Sequence, residues 1–342
     1  MMLNHPPRRR LRWPLILIVP LALYLLFLVG WLAARTLLGD RWWWLFLLNV
    51  ATPYLWLPLP LVLLIALALR RWLSVALSVA LLAPGAPILL DVWMPSFSDD
   101  LEYSKPAITV MTYNLYGGND QAGPVIAAIR AAKADVVALQ ELNPAIAAAL
   151  QRELAGEYPF QLLDPRAGVT GMGVISRWPL QPLATSLPGE HWVGTPQLMQ
   201  IAAPLGDVVL FNVHTIPPVG SPGWMTWAIS ERERQAAAIV AVAREQRQPV
   251  IVAGDLNATP YNRAYRLLRD GDLVDVWPQC GLDAGFTWPS AGQAVRGVPL
   301  PAWLVRIDYI LTSPALMCTE AAVGQWDGFS DHRPVVARLV AQ

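Results

Sequence analysis

The sequence predicts an α/β domain preceded by three transmembrane helices. Three observations lead there. Of 342 residues, 55% are hydrophobic and only 15% charged, where a globular domain carries about 25% charged residues. The most apolar residues gather in three long runs near the N-terminus. From Lys105 onward, short alternating runs take turns with amphipathic stretches, the pattern of strands mixed with helices. The composition excludes a disordered chain, which needs low hydrophobicity and high charge. Two cysteines exclude a disulfide-dense scaffold and a structural zinc cluster.

Charge divides the chain at the same place. Eight arginines, no lysine and five acids lie up to Ser104, leaving 17 basic and 20 acidic residues beyond it, net −3. The formal net charge of zero therefore sums a basic, apolar part and a mildly acidic domain. Residues 1–12 form a basic N-terminus, 13–93 the anchor, 94–106 a short polar linker and 107–342 the α/β domain.

A helix crossing a bilayer needs about 20 residues, and the runs 13–38, 43–69 and 72–92 are long enough. A cleavable signal peptide competes for the first run. Its apolar stretch would span about 7–15 residues before a small-residue cleavage site; this run is longer and no such site follows. Prolines such as Pro53, Pro58, Pro60, Pro84 and Pro87 are tolerated in membrane helices when neighbours satisfy the freed carbonyls. Arg8, Arg9, Arg10 and Arg12 precede the first run, and Arg70-Arg71 separate the second from the third. Positive segments stay cytoplasmic, so the N-terminus lies inside and everything after about residue 95 outside.

Within the domain, strands are expected at 108–113, 135–140, 173–176, 198–203, 208–213, 250–253, 307–311 and 334–340. Helices are expected at 125–132, 145–154 and 230–247, the last with an Ala/Ile/Val stripe of period near 3.6. Polar residues recur where these strands stop. Asn114 follows the first, Gln140-Glu141 ends the second, and His214 follows Val213. Asp255 and Asn257 lie in Gly254-Asp255-Leu256-Asn257, Asp308 in Arg306-Ile307-Asp308-Tyr309-Ile310, and Asp331-His332 precede the final strand. Strand-end loops on a rigid sheet are where folds present chemistry. Each residue alone also suits a turn; six such places in one domain form a constellation.

Thr112-Tyr113-Asn114, Gln140-Glu141, Asn212-Val213-His214, Gly254-Asp255-Leu256-Asn257, Ile307-Asp308-Tyr309 and Ser330-Asp331-His332, in this order, resemble the endonuclease/exonuclease/phosphatase (DNase I-like) superfamily. The resemblance covers about residues 105–342. It implies a four-layer α/β/β/α sandwich and a metal-dependent hydrolase of phosphoester bonds. It also implies roles. Glu141 would bind Mg²⁺, or Mn²⁺ in its place, with Asp331 contributing; hard cations prefer carboxylate oxygen. Asn114 would support the phosphate, and Asp255 would orient or deprotonate the attacking water, helped by Asn257. His332, oriented by Asp308, would contact the phosphoryl group, and His214 would stabilise developing charge or protonate the leaving oxygen. Tyr116 stands where some nuclease branches carry a second metal-binding acid, which favours one metal ion.

Three spans followed by this domain resemble the bacterial membrane phosphoesterases associated with teicoplanin resistance. The expected substrate is accordingly a lipid-linked phosphoester or pyrophosphate on the outer face of the cytoplasmic membrane. A duplex binder would show a basic footprint; the domain is net negative with two lysines, Lys105 and Lys133, which disfavours nucleic acid. Arg263, Arg266 and Arg269 form either a local basic patch or the solvated face of a helix. A tethered nuclease and a non-catalytic lipid- or phosphate-binding module are the rival readings. Residues 215–227, rich in Pro, Gly and Trp, suit a lid or a segment packed under the long helix. Cys280 and Cys318 are either a disulfide or two buried thiols.

Overall fold

The computed structural model describes residues 13–93, 105–295 and 297–342. The basic segment 1–12 and most of the expected linker, 94–104, lie outside the described residues. The helices are α1 (Trp13–Leu38), α2 (Trp43–Val50), α3 (Thr52–Trp56), α4 (Leu59–Ala68), α5 (Trp72–Trp93), α6 (Ala122–Ala132), α7 (Pro144–Glu153), α8 (Pro222–Glu245), α9 (Arg263–Asp270) and α10 (Trp277–Cys280). The strands are β1 (Ala107–Asn114), β2 (Val136–Gln140), β3 (Phe160–Asp164), β4 (Met172–Ser176), β5 (Leu180–Pro182), β6 (Gln197–Ala203), β7 (Gly206–His214), β8 (Val250–Asp255), β9 (Val274–Asp275), β10 (Gln293–Val295), β11 (Val298–Leu300), β12 (Asp308–Thr312), β13 (Leu316–Val323) and β14 (Val335–Ala341).

The chain forms two compact units. One holds the described residues up to Gly39 with Ala51–Val92; the other joins Asp40–Val50 to everything from Trp93 onward. In the first unit, Ile16–Leu38 is long and apolar enough to cross a membrane. Leu25, Leu28 and Trp31 are buried there, Trp31 meets Trp56 edge-on at 6.0 Å, and Tyr24 donates to the Leu55 carbonyl at 2.9 Å. Ile16, Leu23 and Leu26 instead face outward, 61–65% exposed.

The expectation of three spans is corrected. Among the described residues one helix qualifies, or two if Trp43–Val50 and Thr52–Ala68 count as a single broken span. The helical run breaks after Val50, and α3 and α4 each begin at a proline-bearing first turn, because proline lacks the N–H that would continue the preceding helix. In α5 the residues that are fully described give a shorter apolar helix, Trp72–Pro87.

The second unit is built on two six-stranded sheets, ordered β13-β14-β1-β2-β4-β3 and β5-β6-β7-β8-β12-β9. Alternation along each strand sets the layers. Ile108, Val110, Ala138 and Val174 of the first sheet meet Leu210, Ile251, Ala253 and Ile310 of the second. Met111, Tyr113 and Val137 point the other way, onto Val125, Ile129 and Ile146 of α6 and α7. Val209, Phe211 and Val252 likewise back onto Ile239 of α8 and Leu268 of α9. The result is helices, sheet, sheet, helices, the four layers that the resemblance implied.

The cysteines form a disulfide, Cys280 of α10 to Cys318 of β13, with Cα atoms 5.9 Å apart. Closing a loop across 38 residues restricts the unfolded chain by about 3–4 kcal/mol. The double replacement Cys280→Ser/Cys318→Ser is expected to lower Tm by roughly 10 °C. Thiol titration of denatured, unreduced wild type should find no free thiol; two thiols would contradict the pairing.

Candidate active site

Register brings the site together. β7 and β8 run parallel with His214 beside Asp255; β8 and β12 run antiparallel with Asp255 beside Asp308. Across the other sheet, β1 and β2 place Asn114 beside Gln140. Side chains at paired positions share a face, so His214, Asp255 and Asp308 form a row at one sheet edge, facing the end of β1.

Asn114 joins the two sheets. Its amide donates to Glu141 Oε1 and to Asp255 Oδ2, each at 3.1 Å, while its oxygen accepts from the Tyr116 N–H. Both amide hydrogens thus go to carboxylates, and Asn114 sets the spacing between Glu141 and Asp255. Glu141 turns out of β2 at φ +56°, and its second oxygen accepts from Gly117 N–H at 2.7 Å. Asp255 Oδ2 also lies 3.5 Å from His214 Nε2 and 3.7 Å from His332 Nε2. Asp308 Oδ2 is 2.9 Å from His332 Nδ1, and Asp331 Oδ1 is 4.0 Å from His332 Nε2. Asn257, at φ +46°, donates its N–H to Asp255 Oδ1 at 2.8 Å and its amide to the Thr215 carbonyl. All eight residues singled out from the sequence therefore converge.

The electrostatics separate the groups by task. Burial disfavours the charged carboxylate of Asp255 and raises its pKa to about 7, although nearby His332 opposes the shift. Burial works against protonation of His332, yet Asp308, Asp255 and Asp331 together raise its pKa to about 10. Burial, then the positive charge of His332, lowers the pKa of His214 to about 3. The site holds one imidazolium and one neutral imidazole around a carboxylate poised near neutrality. The Glu141 carboxyl is also raised, first by burial.

The donor set suits a hard divalent cation. Asp255, Asp308 and His332 offer atoms within 4.8 Å of one another. His332 Nδ1 is already paired with Asp308, which is fully buried behind it, so those three form a hydrogen-bonded carboxylate–imidazole pair beside the second carboxylate of Asp255. Glu141 and Asp331 line the same cavity, 4.0 Å from His214 Nε2 and His332 Nε2 respectively. They supply the carboxylate oxygens that Mg²⁺ prefers. Burial is the main cause of the raised pKa of Glu141, with Asp331 adding a smaller push, and a bound cation would favour the charged form of both carboxylates.

Supporting residues complete the geometry. Ser330 Oγ donates to the Asn114 carbonyl at 2.7 Å and accepts from His332 N–H at 3.0 Å, tying the histidine loop to β1. Asp327 accepts from Ser330 N–H and from the Asn119 amide. Below the site, Gln140 donates to Asn212 Oδ1 at 2.7 Å, and the Asn212 amide donates to Leu139 and Gly173 carbonyls. Buried Arg232 of α8 donates to the Asn257 carbonyl and sits 4.8 Å from the Phe46 ring centroid. Arg232 was not singled out from the sequence, because Glu231-Arg232-Glu233-Arg234 looks like a solvated helix face. Asp327-Gly328 carried a recognisable turn signal.

The 215–227 stretch divides. Ser221 caps α8 and Pro222 starts it, so Trp224 and Trp227 belong to its first turns, 4.5 Å apart. Only the part before Pro222 is loop. Of the α9 arginines, Arg263 pairs with Glu233 at 3.5 Å, and Arg266 and Arg269 donate to carbonyls of Tyr261 and Leu273. They serve the helix and its neighbours.

Gly254 permits the approach of β8 to β7. A Cβ there would lie 1.8 Å from the Val213 carbonyl oxygen. Gly254→Ala is expected to destabilise by about 3 kcal/mol or more and to abolish activity by displacing Asp255. Melting curves within 1 kcal/mol of wild type, on the same order as ordinary surface changes, would contradict it.

A buried acid–imidazole constellation at the edge of two packed sheets defines a phosphoesterase-type site. Residues 111–332 match the endonuclease/exonuclease/phosphatase family, and the chain belongs to it. Members of this family are hydrolases acting on phosphoester bonds. The chain is 25% identical over 246 residues to the UPF0294 protein VV2535 of Vibrio vulnificus (strain YJ016), covering 67% of this chain and 75% of that one. Its fold is similar to an endonuclease/exonuclease/phosphatase from Beutenbergia cavernae DSM 12333, at TM-score 0.51 and 24% identity over 69% of this chain and 72% of that one. It is also similar to the 3′ phosphatase NExo from Neisseria bound to product DNA hairpin, at TM-score 0.51 and 19% identity over 68% and 98%.

Proposed function

We propose that the protein is a membrane-anchored, divalent-metal-dependent phosphoesterase. It hydrolyses a lipid-linked phosphoester or pyrophosphate on the outer face of a bacterial cytoplasmic membrane. The observation that carries the reaction class is the convergence of Asp255, His214 and the Asp308–His332 pair at one sheet edge, opposite Glu141.

Asp255 takes a proton from water as the water oxygen forms a bond to phosphorus. Asn257 holds that water through the side-chain oxygen left free when its amide is bonded to Thr215. His332, kept cationic by Asp308, faces the phosphoryl oxygens and offsets the charge that gathers on them. The neutral imidazole of His214 meets the same charge by hydrogen bonding. With its pKa lowered to about 3 it carries no acidic proton near neutral pH, so the leaving oxygen takes its proton from water as its bond to phosphorus breaks. Glu141 and Asp331 would hold a Mg²⁺ or Mn²⁺ ion, which when bound supplies further positive charge to the phosphoryl group.

The anchor reading rests on α1, whose apolar outer face suits lipid. A signal sequence passes the same test of length and hydropathy, but α1 belongs to one compact unit with α3, α4 and α5, which supports its retention. The Cys280–Cys318 bond fits an oxidising compartment. A tethered site meets bilayer head groups at high effective concentration. The Neisseria phosphatase was captured with DNA, but no Lys or Arg lines the cavity of this chain among the described residues, and polyanion binding depends on such contacts. The test offers full-length protein in nanodiscs a lipid pyrophosphate, a phospholipid and DNA, with Mg²⁺, Mn²⁺ or EDTA. Metal-dependent turnover of a lipid substrate is expected. Cleavage of DNA alone would make it a tethered nuclease, and no turnover at all would leave a binding module.

A further inference from the structure

The site opens into a cavity of about 600 Å³, within the range of small-molecule sites. Its acidic end holds Glu141, His214, Asp255, Asp331 and His332. The remaining walls are mostly hydrocarbon, with Phe46, Leu47 and Val50 from α2, Val219 from the loop before α8, and Leu304 before β12, and their polar part is the uncharged Asn257, Thr259 and Asn262. A phosphate group occupies only the acidic end, so the apolar extension is matched to another part of the ligand.

The α2 wall is built into the catalytic unit. Asp40 and Asn49 are buried and hydrogen-bonded to each other, and the second Asp40 oxygen accepts from Arg263 N–H at the start of α9. Phe46 lies against the Arg232 guanidinium, and Arg232 holds the Asn257 carbonyl. One side of α2 is therefore fixed to α8 and α9. Leu47, which lines the cavity, remains 44% exposed, and Val219, on the loop before α8 and also in the lining, is 60% exposed. Large apolar side chains left open beside reactive polar groups mark a ligand site.

We propose that this cavity is a hydrocarbon-chain subsite, with α2 as its wall, that takes a single apolar chain attached to the scissile phosphate. The chain is drawn into protein beside the catalytic groups, and the substrate class is a single-chain alkyl or prenyl phosphoester. A nucleotide is a poor fit, since beyond the acidic end with its His332 the described walls offer no Lys or Arg, and only Asn257, Thr259 and Asn262 as polar partners for a sugar or base. A two-chain glycerolipid would need a second apolar branch. The proposal rests on the phosphoesterase reading for the position of the phosphate, and the experiment separates the two.

Full-length protein in nanodiscs, with Mg²⁺, is titrated calorimetrically with ethyl, butyl, hexyl and octyl phosphate, and empty nanodiscs supply the partition background. Each methylene that enters the cavity should tighten binding about fourfold, equivalent to about 0.8 kcal/mol. Leu47→Trp and Val219→Trp, which fill the cavity from two sides, should each flatten that chain-length slope by at least half, on the order of one methylene step in two. Two sites are used so that misfolding of either variant leaves the other. Affinity independent of chain length, or the same slope in wild type and both folded variants, would overturn the subsite. Failure of the phosphoesterase reading looks different: no phosphoester is turned over, while the slope of alkyl phosphate binding persists.

Discussion

Asp255→Asn is expected to lower kcat by about 10²–10⁴-fold, the contribution of a positioned general base, without loss of fold. The replacement is isosteric, and its oxygen can still accept from the Asn257 N–H. Stability gives a second, independent readout. Burial raises the folded-state pKa of Asp255 to about 7, above an unfolded value of about 3.9. A carboxyl raised on folding contributes stability below its unfolded pKa, and that contribution is lost as pH rises through the folded value. In EDTA, the stability of wild type relative to Asp255→Asn should therefore fall between about pH 4 and pH 7, while the depressed pKa of His214 adds a rise with pH over the same window that both proteins share. Retained activity within tenfold of wild type, or a melting curve whose pH dependence is unchanged, would contradict the assignment.

The second large effect concerns His332. His332→Ala removes the cation that faces the phosphoryl oxygens, and kcat should fall by about 10²–10³-fold. It also strips Asp308 of its partner at 2.9 Å and leaves a carboxylate that is fully buried. Breaking such a pair costs about 3–5 kcal/mol. Stability and chemistry can be separated by removing both members. His332→Ala/Asp308→Ala should recover much of the lost Tm, because no unpaired charge is left, and recover none of the activity. Recovery of turnover in the double variant would show that His332 acts only through packing.

The site was legible in sequence because each of its residues sits at a strand end, where an apolar run stops at a single polar side chain. Asn114, His214 and Asp255 close β1, β7 and β8, and pairing of those strands does the rest. Their roles were less legible. Asn114 suits phosphate support by its amide, but the amide is committed to two carboxylates, a fact that depends on the spacing of the two sheets. The helix α8 begins eight residues earlier than its Ala/Ile/Val stripe suggests, since Ser221-Pro222-Gly223 resembles a loop while supplying a cap and a first-turn proline. Strand β13 escaped because Leu316–Val323 mixes Ala, Thr and Glu and carries a register shift between Cys318 and Glu320, which breaks the alternation.

The anchor shows a different limit. Residues 43–69 look like one continuous apolar span, yet Asp40–Val50 folds with the catalytic unit and the remainder does not. Hydropathy alone cannot separate a core helix from a spanning one. The polar residues that make the difference, Asp40 and Asn49, act through each other and through the α9 backbone, more than 200 residues away in sequence.

Hydrolysis in H₂¹⁸O tests the central claim most directly. Full-length protein in nanodiscs with Mg²⁺ is given an alkyl or prenyl phosphate, and the products are examined by mass spectrometry. Attack of water on phosphorus, as the placement of Asp255 and His332 requires, puts one ¹⁸O into the phosphate and none into the alcohol, with Asp255→Asn inactive. Label in the alcohol, or turnover that survives both EDTA and Asp255→Asn, would contradict the account.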